Sequence, residues 1–189
     1  MEKIFLGEEL IIYRILFNPT NGKDDLLIDV NQHINDKQKN DCDAFPYCDE
    51  FPRLNEIIQM GISSCLKIAQ ENNVEYTKYK CESWINIVRG KSPVQFLISQ
   101  KPFHNHVMFN KYNNKIIPSY TFVYYIQMPN NLNVGDAELV LKDNQGNEHS
   151  ILPKENEFLI HESKIEHYPK DAKNSTVDRI VLAGNVGFE

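Results

Sequence analysis

From Tyr76 onward the chain breaks into short runs rich in β-branched and aromatic residues, each closed by a turn cluster. That succession limits the fold more than any other feature. The runs 77–88, 94–100, 118–128, 137–142, 149–153, 157–161 and 177–186 read as strands. Arg89-Gly90-Lys91, Pro129-Asn130-Asn131 and Asp143-Asn144-Gln145-Gly146-Asn147 separate them as turns. Strands at this spacing argue for a sandwich or a closed double sheet.

The first part of the chain has a different period. Residues 9–17 read as a strand, followed by the turn cluster Asn18 to Gly22. Leu26, Leu27, Val30 and Ile34 recur at helical spacing over 24–35. Leu54, Ile57, Ile58, Ile62, Cys65, Leu66 and Ala69 do so over a longer stretch, with Pro52 near its start and Asn72-Asn73 at its end. Both helices are expected to pack on one outer face of the strands. A polar loop over 35–52 joins them. A chain of 189 residues suits one domain, with 1–75 as a helical support region and 76–189 as the β core. The fold class expected is mainly β with N-terminal helices.

Composition excludes several classes. Hydrophobic residues make up 41% and charged residues 24%, as in ordinary globular proteins. The formal net charge of -6 argues against tight binding to duplex nucleic acid. No run approaches the roughly 18 apolar residues of a membrane span. The apolar start is too short for a signal peptide and is broken by Glu8 and Glu9. The four cysteines, Cys42, Cys48, Cys65 and Cys81, form no Cys-x-x-Cys pair, and reduced thiols in a cytoplasm are the expected state. Monomer and homodimer are both open.

Six histidines occur, and His104-Asn105-His106 is the pair that draws attention. Residues two apart on a strand face the same way, so both imidazoles can reach one ion, while Asn105 faces away. His-x-His alone is a weak signal. His33 reads as solvated, His149 as exposed, and His161 as either a surface residue or one backing a ligand.

The order that follows is more specific. His104-Asn105-His106 is succeeded by Tyr124-Tyr125 in an apolar strand, then by His167, then by Arg179 leading Ile180-Val181-Leu182-Ala183-Gly184-Asn185, with Trp84-Ile85-Asn86 upstream. This order resembles the 2-oxoglutarate- and iron(II)-dependent oxygenases, and within them the small phage and bacterial members, over roughly residues 81–188. Thr121-Phe-Val-Tyr-Tyr-Ile126 also resembles the Thr-x-x-Tyr-Tyr-Leu strand of the prolyl hydroxylases. The resemblance implies a double-stranded β-helix, a jelly roll of cupin-like form flanked by helices. It implies Fe(II) as cofactor, 2-oxoglutarate as co-substrate, and O2. It also implies oxidation, by default hydroxylation, of a small-molecule, peptide or nucleobase substrate, with release of succinate and CO2.

Residue by residue, the resemblance makes His104 and His167 metal ligands. His106 stands where the superfamily usually has a carboxylate, so the triad would be three histidines. Arg179 would hold the distal carboxylate of 2-oxoglutarate, since a guanidinium offers a planar, two-pronged, permanent positive charge. Tyr125 would add a hydrogen bond to that carboxylate. Strand alternation then turns Tyr124 outward, under a helix or loop. Asn86, Asn185 and Trp84 would touch the substrate or back the ligands, although packing is the more ordinary role for Trp84. The polar segment 107–117 is expected to act as a lid.

Two other readings compete. His-x-His also opens the cupin metal motif, but Asn110 stands near the place where that motif expects a Glu. Pro153-Lys154-Glu155 lacks its Gly. A jelly roll without catalysis is the other alternative, because fold alone does not fix function.

Overall fold

The alternation along residues 119–127 organises the molecule. Tyr120, Phe122, Tyr124 and Ile126 face one side of their strand, and Thr121, Val123 and Tyr125 face the other. Both sides are buried. A strand buried on both faces must be central in its sheet with a layer on each side. A computed structural model describes residues 1–7, 10–37, 42–45, 52–88, 103–172 and 174–189. The expected strand 94–100 and the turn at Arg89-Gly90-Lys91 lie outside the described residues.

In chain order the elements are β1 (Glu2–Leu6), β2 (Leu10–Leu16), α1 (Lys23–Lys37), β3 (Cys42–Phe45), α2 (Pro52–Glu71), β4 (Tyr79–Val88), β5 (Met108–Phe109), β6 (Ile116–Ile117), β7 (Ser119–Gln127), β8 (Leu139–Lys142), β9 (Glu148–Ile151), β10 (Glu157–Glu162), β11 (His167–Pro169) and β12 (Arg179–Phe188). Seven strands form one sheet in the order β1-β2-β10-β7-β12-β4-β3, and a smaller sheet runs β11-β8-β9. All pairings among the described residues are antiparallel.

Three layers result. α2 presents Leu54, Ile57, Ile58, Ile62, Cys65, Ile68 and Ala69 at helical spacing to one face of the large sheet, and α1 adds Leu26 and Val30. The opposite face carries Leu10, Ile12, Val123, Tyr125, Leu159, Val181 and Ala183, which meet Leu139, Leu141 and Ile151 of the small sheet. The protein is thus mainly β, with two helices on one face of the large sheet. No described helix is long and apolar enough to cross a membrane.

Several expectations are corrected. β2 is the strand expected over 9–17, but β1 and β3, which were not expected, also belong to the large sheet. β1 is its edge strand, largely exposed, so no alternation marks it. β3 lies inside the stretch read as a polar loop. The segment 107–117 is no loose lid. It folds into the β5–β6 hairpin, with Met108 and Ile117 buried against Gly187 of β12.

The contact between α2 and the large sheet is close because Phe122 lies between two glycines. A Cβ on Gly184 would stand 2.7 Å from Phe122 Cε1 and 2.8 Å from the Glu82 carbonyl oxygen. The ring could shift, but the backbone oxygen could not follow cheaply. Gly184→Ala is therefore expected to cost about 2–3 kcal/mol by overpacking. Urea unfolding checks this, and an unchanged midpoint would show that the sheet absorbs the methyl group.

Candidate functional site

The side of the large sheet that faces away from the helices is not completely covered. A cavity of about 560 Å³ opens between it and the small sheet. β12 contributes Arg179, Val181, Ala183 and Asn185. β4 contributes Glu82, Trp84 and Asn86, and β7 contributes Thr121, Val123 and Tyr125. These are every second residue of each strand, as the pleat requires.

The three histidines singled out from the sequence meet at this cavity. One ring nitrogen from each of His104, His106 and His167 lies within 4.8 Å of the others. The backbone explains the meeting. His104 N–H donates to His167 O at 3.1 Å, and His167 N–H donates to His104 O at 2.9 Å, so the two residues sit directly opposite each other. His106 is fixed by its N–H to Ser163 O at 2.8 Å. The pair 104–106 does not lie on a regular strand. The single bridge and the Ser163 contact bring both rings to one place instead. Ring centroids are 4.6 Å apart for His104 and His167, 5.0 Å for His104 and His106, and 5.2 Å for His106 and His167.

The chemistry of this donor set fits a divalent transition metal. His167 Nδ1–H donates to Ile165 O at 3.0 Å, which leaves Nε2 with a lone pair for the ion. Burial, with the neighbouring His161 adding, holds His167 well below the usual imidazole range. It is therefore neutral at physiological pH, as a ligand must be. Three imidazoles suit iron, zinc, copper or nickel, and they bring no negative charge to offset the ion.

His161 is fully buried, and its ring lies 4.7 Å from that of His167. This excludes a surface position and sets His161 behind the His167 ring. Its cross-strand neighbour is Thr121, so it shares the cavity side of the sheet. Nδ1–H donates to Glu162 O at 2.9 Å, and burial lowers its pKa to about 4. His149 is partly exposed, with Nε2 3.0 Å from Asp143 Oδ2. The side chain of His33 lies outside the described residues.

A pH dependence of stability follows from His161. Its folded pKa is depressed, so the neutral form is the stable one. Its contribution is complete above the unfolded value near 6.5 and declines as pH falls toward about 4. The metal-free protein should lose up to about 3 kcal/mol over that window from this group. Urea midpoints of wild type and His161→Leu check it: the variant's curve should be flatter there, and parallel curves would contradict the assignment.

At one end of the cavity stands Arg179, only 4% exposed. Its Nη1 donates to Lys170 O at 3.1 Å. Among the described residues no carboxylate forms an ion pair with it, although Asp171 and Tyr125 favour its charge from nearby. Burial pushes the Tyr125 phenol above its usual range, so it stays protonated and can donate. A register shift between β12 and β7 sits beside Arg179, between Ile180 and Val181. Such bulges commonly re-aim side chains next to binding sites. Tyr124 points the other way, donating to Asn156 Oδ1 at 2.9 Å on the helix side.

Asn86, Asn185 and Trp84 all line the cavity. Trp84 packs on His106 with centroids 5.0 Å apart. Thr121 Oγ1 donates to Asn185 Oδ1 at 2.8 Å, and Ser163 Oγ lies 2.9 Å from Thr121 Oγ1. Sequence reasoning passed over Glu82. It stands two residues before Trp84 on the same face, and strand alternation alone would have found it.

No protein-family model matches the chain, and no curated protein matches it in sequence. Solved structures do match in fold. A prolyl-4-hydroxylase from Pseudomonas putida superposes with a TM-score of 0.60 at 13% identity, over 94% of this chain and 92% of that one. The viral collagen prolyl hydroxylase of Paramecium bursaria Chlorella virus-1 gives 0.58 at 11%, over 94% and 90%. HygX from Streptomyces hygroscopicus, solved with nickel and 2-oxoglutarate bound, gives 0.57 at 9%, over 94% and 82%. The chain shares the fold of these proteins.

Proposed function

We propose that the protein is an iron(II)- and 2-oxoglutarate-dependent oxygenase, a single domain over residues 1–189 built as a double-stranded β-helix. The observation that carries the reading is the joint placement, in one cavity, of three convergent imidazoles and a buried guanidinium without an ion-pair partner among the described residues. His104, His106 and His167 would hold the iron. Arg179 would hold the distal carboxylate of 2-oxoglutarate, with the Tyr125 phenol donating to the same group. Bound iron would supply the oxidative chemistry, in which O2 and 2-oxoglutarate yield succinate, CO2 and an oxidised substrate.

The chain's own residues then have three tasks. Arg179 and Tyr125 orient the co-substrate. Val123, Leu139, Val181 and Ala183 line the cavity with apolar surface, which keeps water away and strengthens the charge contacts. His161 and the Ile165 carbonyl back His167 and set its ring.

The test is succinate formation by purified protein given iron(II), 2-oxoglutarate and air without further substrate. Slow, iron-dependent release is expected. No succinate from iron-loaded protein would contradict the proposal.

A further inference from the structure

The cavity floor has two differently charged ends. β12 and β4 pair so that Val181 stands opposite Asn86, Ala183 opposite Trp84, and Asn185 opposite Glu82. From Arg179 to Asn185 the floor runs six residue steps, about 20 Å at the rise of a strand. The metal triad lies at the level of Trp84 and Ala183, nearer to Asn185 than to Arg179, because His106 packs on Trp84. 2-Oxoglutarate is far shorter than this floor and would occupy the Arg179 end. The other end remains for the substrate.

At that end Glu82 is exposed on the rim. Among the described lining residues it is the only acid, as Arg179 is the only permanently charged base. The nearest cation along its own face, Lys80, donates Nζ to Phe109 O at 2.5 Å, and among the described residues no ion pair reaches Glu82. Asn185 Oδ1 is occupied by Thr121. What this end offers a ligand is a carboxylate and, one step toward the triad, the Trp84 indole beside His106 with the apolar Ala183 and Val123 at the same level. These groups are complementary to a cation on an aliphatic stem. The stem would lie along the apolar wall toward the triad, and the cation would sit between the carboxylate and the ring.

We infer that the substrate carries an alkylammonium group, and that Glu82 and Trp84 select it. This rests on the oxygenase reading, because the direction of the substrate is set by where iron and 2-oxoglutarate would lie. The cation could belong to a free amino acid or to a lysine side chain of a peptide.

The experiment uses the full chain loaded anaerobically with iron(II) and 2-oxoglutarate. Calorimetry measures binding of free L-lysine, of Gly-Lys-Gly, and of the Nε-acetyl form of each. At least one ammonium probe should bind roughly tenfold tighter than its acetylated form. Whether the free or the peptide probe does so identifies the source of the cation. In Glu82→Gln that ratio should fall to about twofold or less. If the variant does not fold, the wild-type ratio alone decides. Equal binding of charged and acetylated probes, binding of neither, or a ratio that survives in Glu82→Gln would overturn the inference. These outcomes leave the oxygenase reading standing wherever the loaded protein shows the visible band that iron and 2-oxoglutarate form together. Absence of the band would overturn both.

Discussion

Arg179→Met should raise the KM for 2-oxoglutarate roughly a hundredfold or more, while the metal-free protein keeps or slightly gains stability. Both halves follow from one observation. The guanidinium is buried, one nitrogen is committed to the Lys170 carbonyl, and among the described residues no carboxylate pairs with it. A buried cation held in that way costs folding free energy. Methionine fills similar space without the charge, so its introduction should relieve that cost. The ligand loses a charge-assisted, two-pronged contact, and truncating one partner of a buried charge pair typically costs about 2–5 kcal/mol. Arg179→Lys should fall between, because it keeps the charge and loses the planar geometry. Steady-state kinetics with varied 2-oxoglutarate, beside urea unfolding, decide it. An unchanged KM would remove the anion-binding role. A large loss of stability would mean that the arginine serves the fold instead.

His167→Ala should abolish retention of iron and lower succinate formation at least about a thousandfold. His167 is the most buried of the three imidazoles. It is 5% exposed, bridged to His104 through two backbone hydrogen bonds, and fixed in tautomer by Ile165. Ions that bind the folded state alone stabilise it by mass action, about 2.7 kcal/mol at a hundred times Kd. For a domain of this size that is a rise in Tm of about 5–10 °C. Anaerobic thermal unfolding with and without iron(II) should show this rise in wild type and none in His167→Ala. Comparing each protein with its own metal-free form separates the metal effect from the cost of truncation. A full rise in the variant would mean that the ion binds elsewhere.

Much of this arrangement was legible in the residues. The period-two pattern of β7 separates Tyr125 from Tyr124 without any structure, because a pleated strand buried on both faces cannot do otherwise. The apolar row of α2 is equally plain. What was hidden lies where local pattern carries no signal. β1 is an edge strand with most of its side chains in water, so its sequence resembles a loose terminus. The β5–β6 hairpin has strands of two residues each, too short to show a period. His161 was ambiguous because its burial depends on pairing with β7 across a gap of forty residues in sequence. The convergence of His106 with the other two rings depends on a backbone contact to Ser163, which spacing alone does not reveal.

The most direct test of the central claim is a spectroscopic titration of metal-free protein with iron(II) and 2-oxoglutarate under strict exclusion of oxygen. The account predicts a visible charge-transfer band that requires both additions, saturates at one iron per chain, and is lost in His167→Ala. A protein that binds iron at the three histidines yet develops no band with 2-oxoglutarate would contradict it.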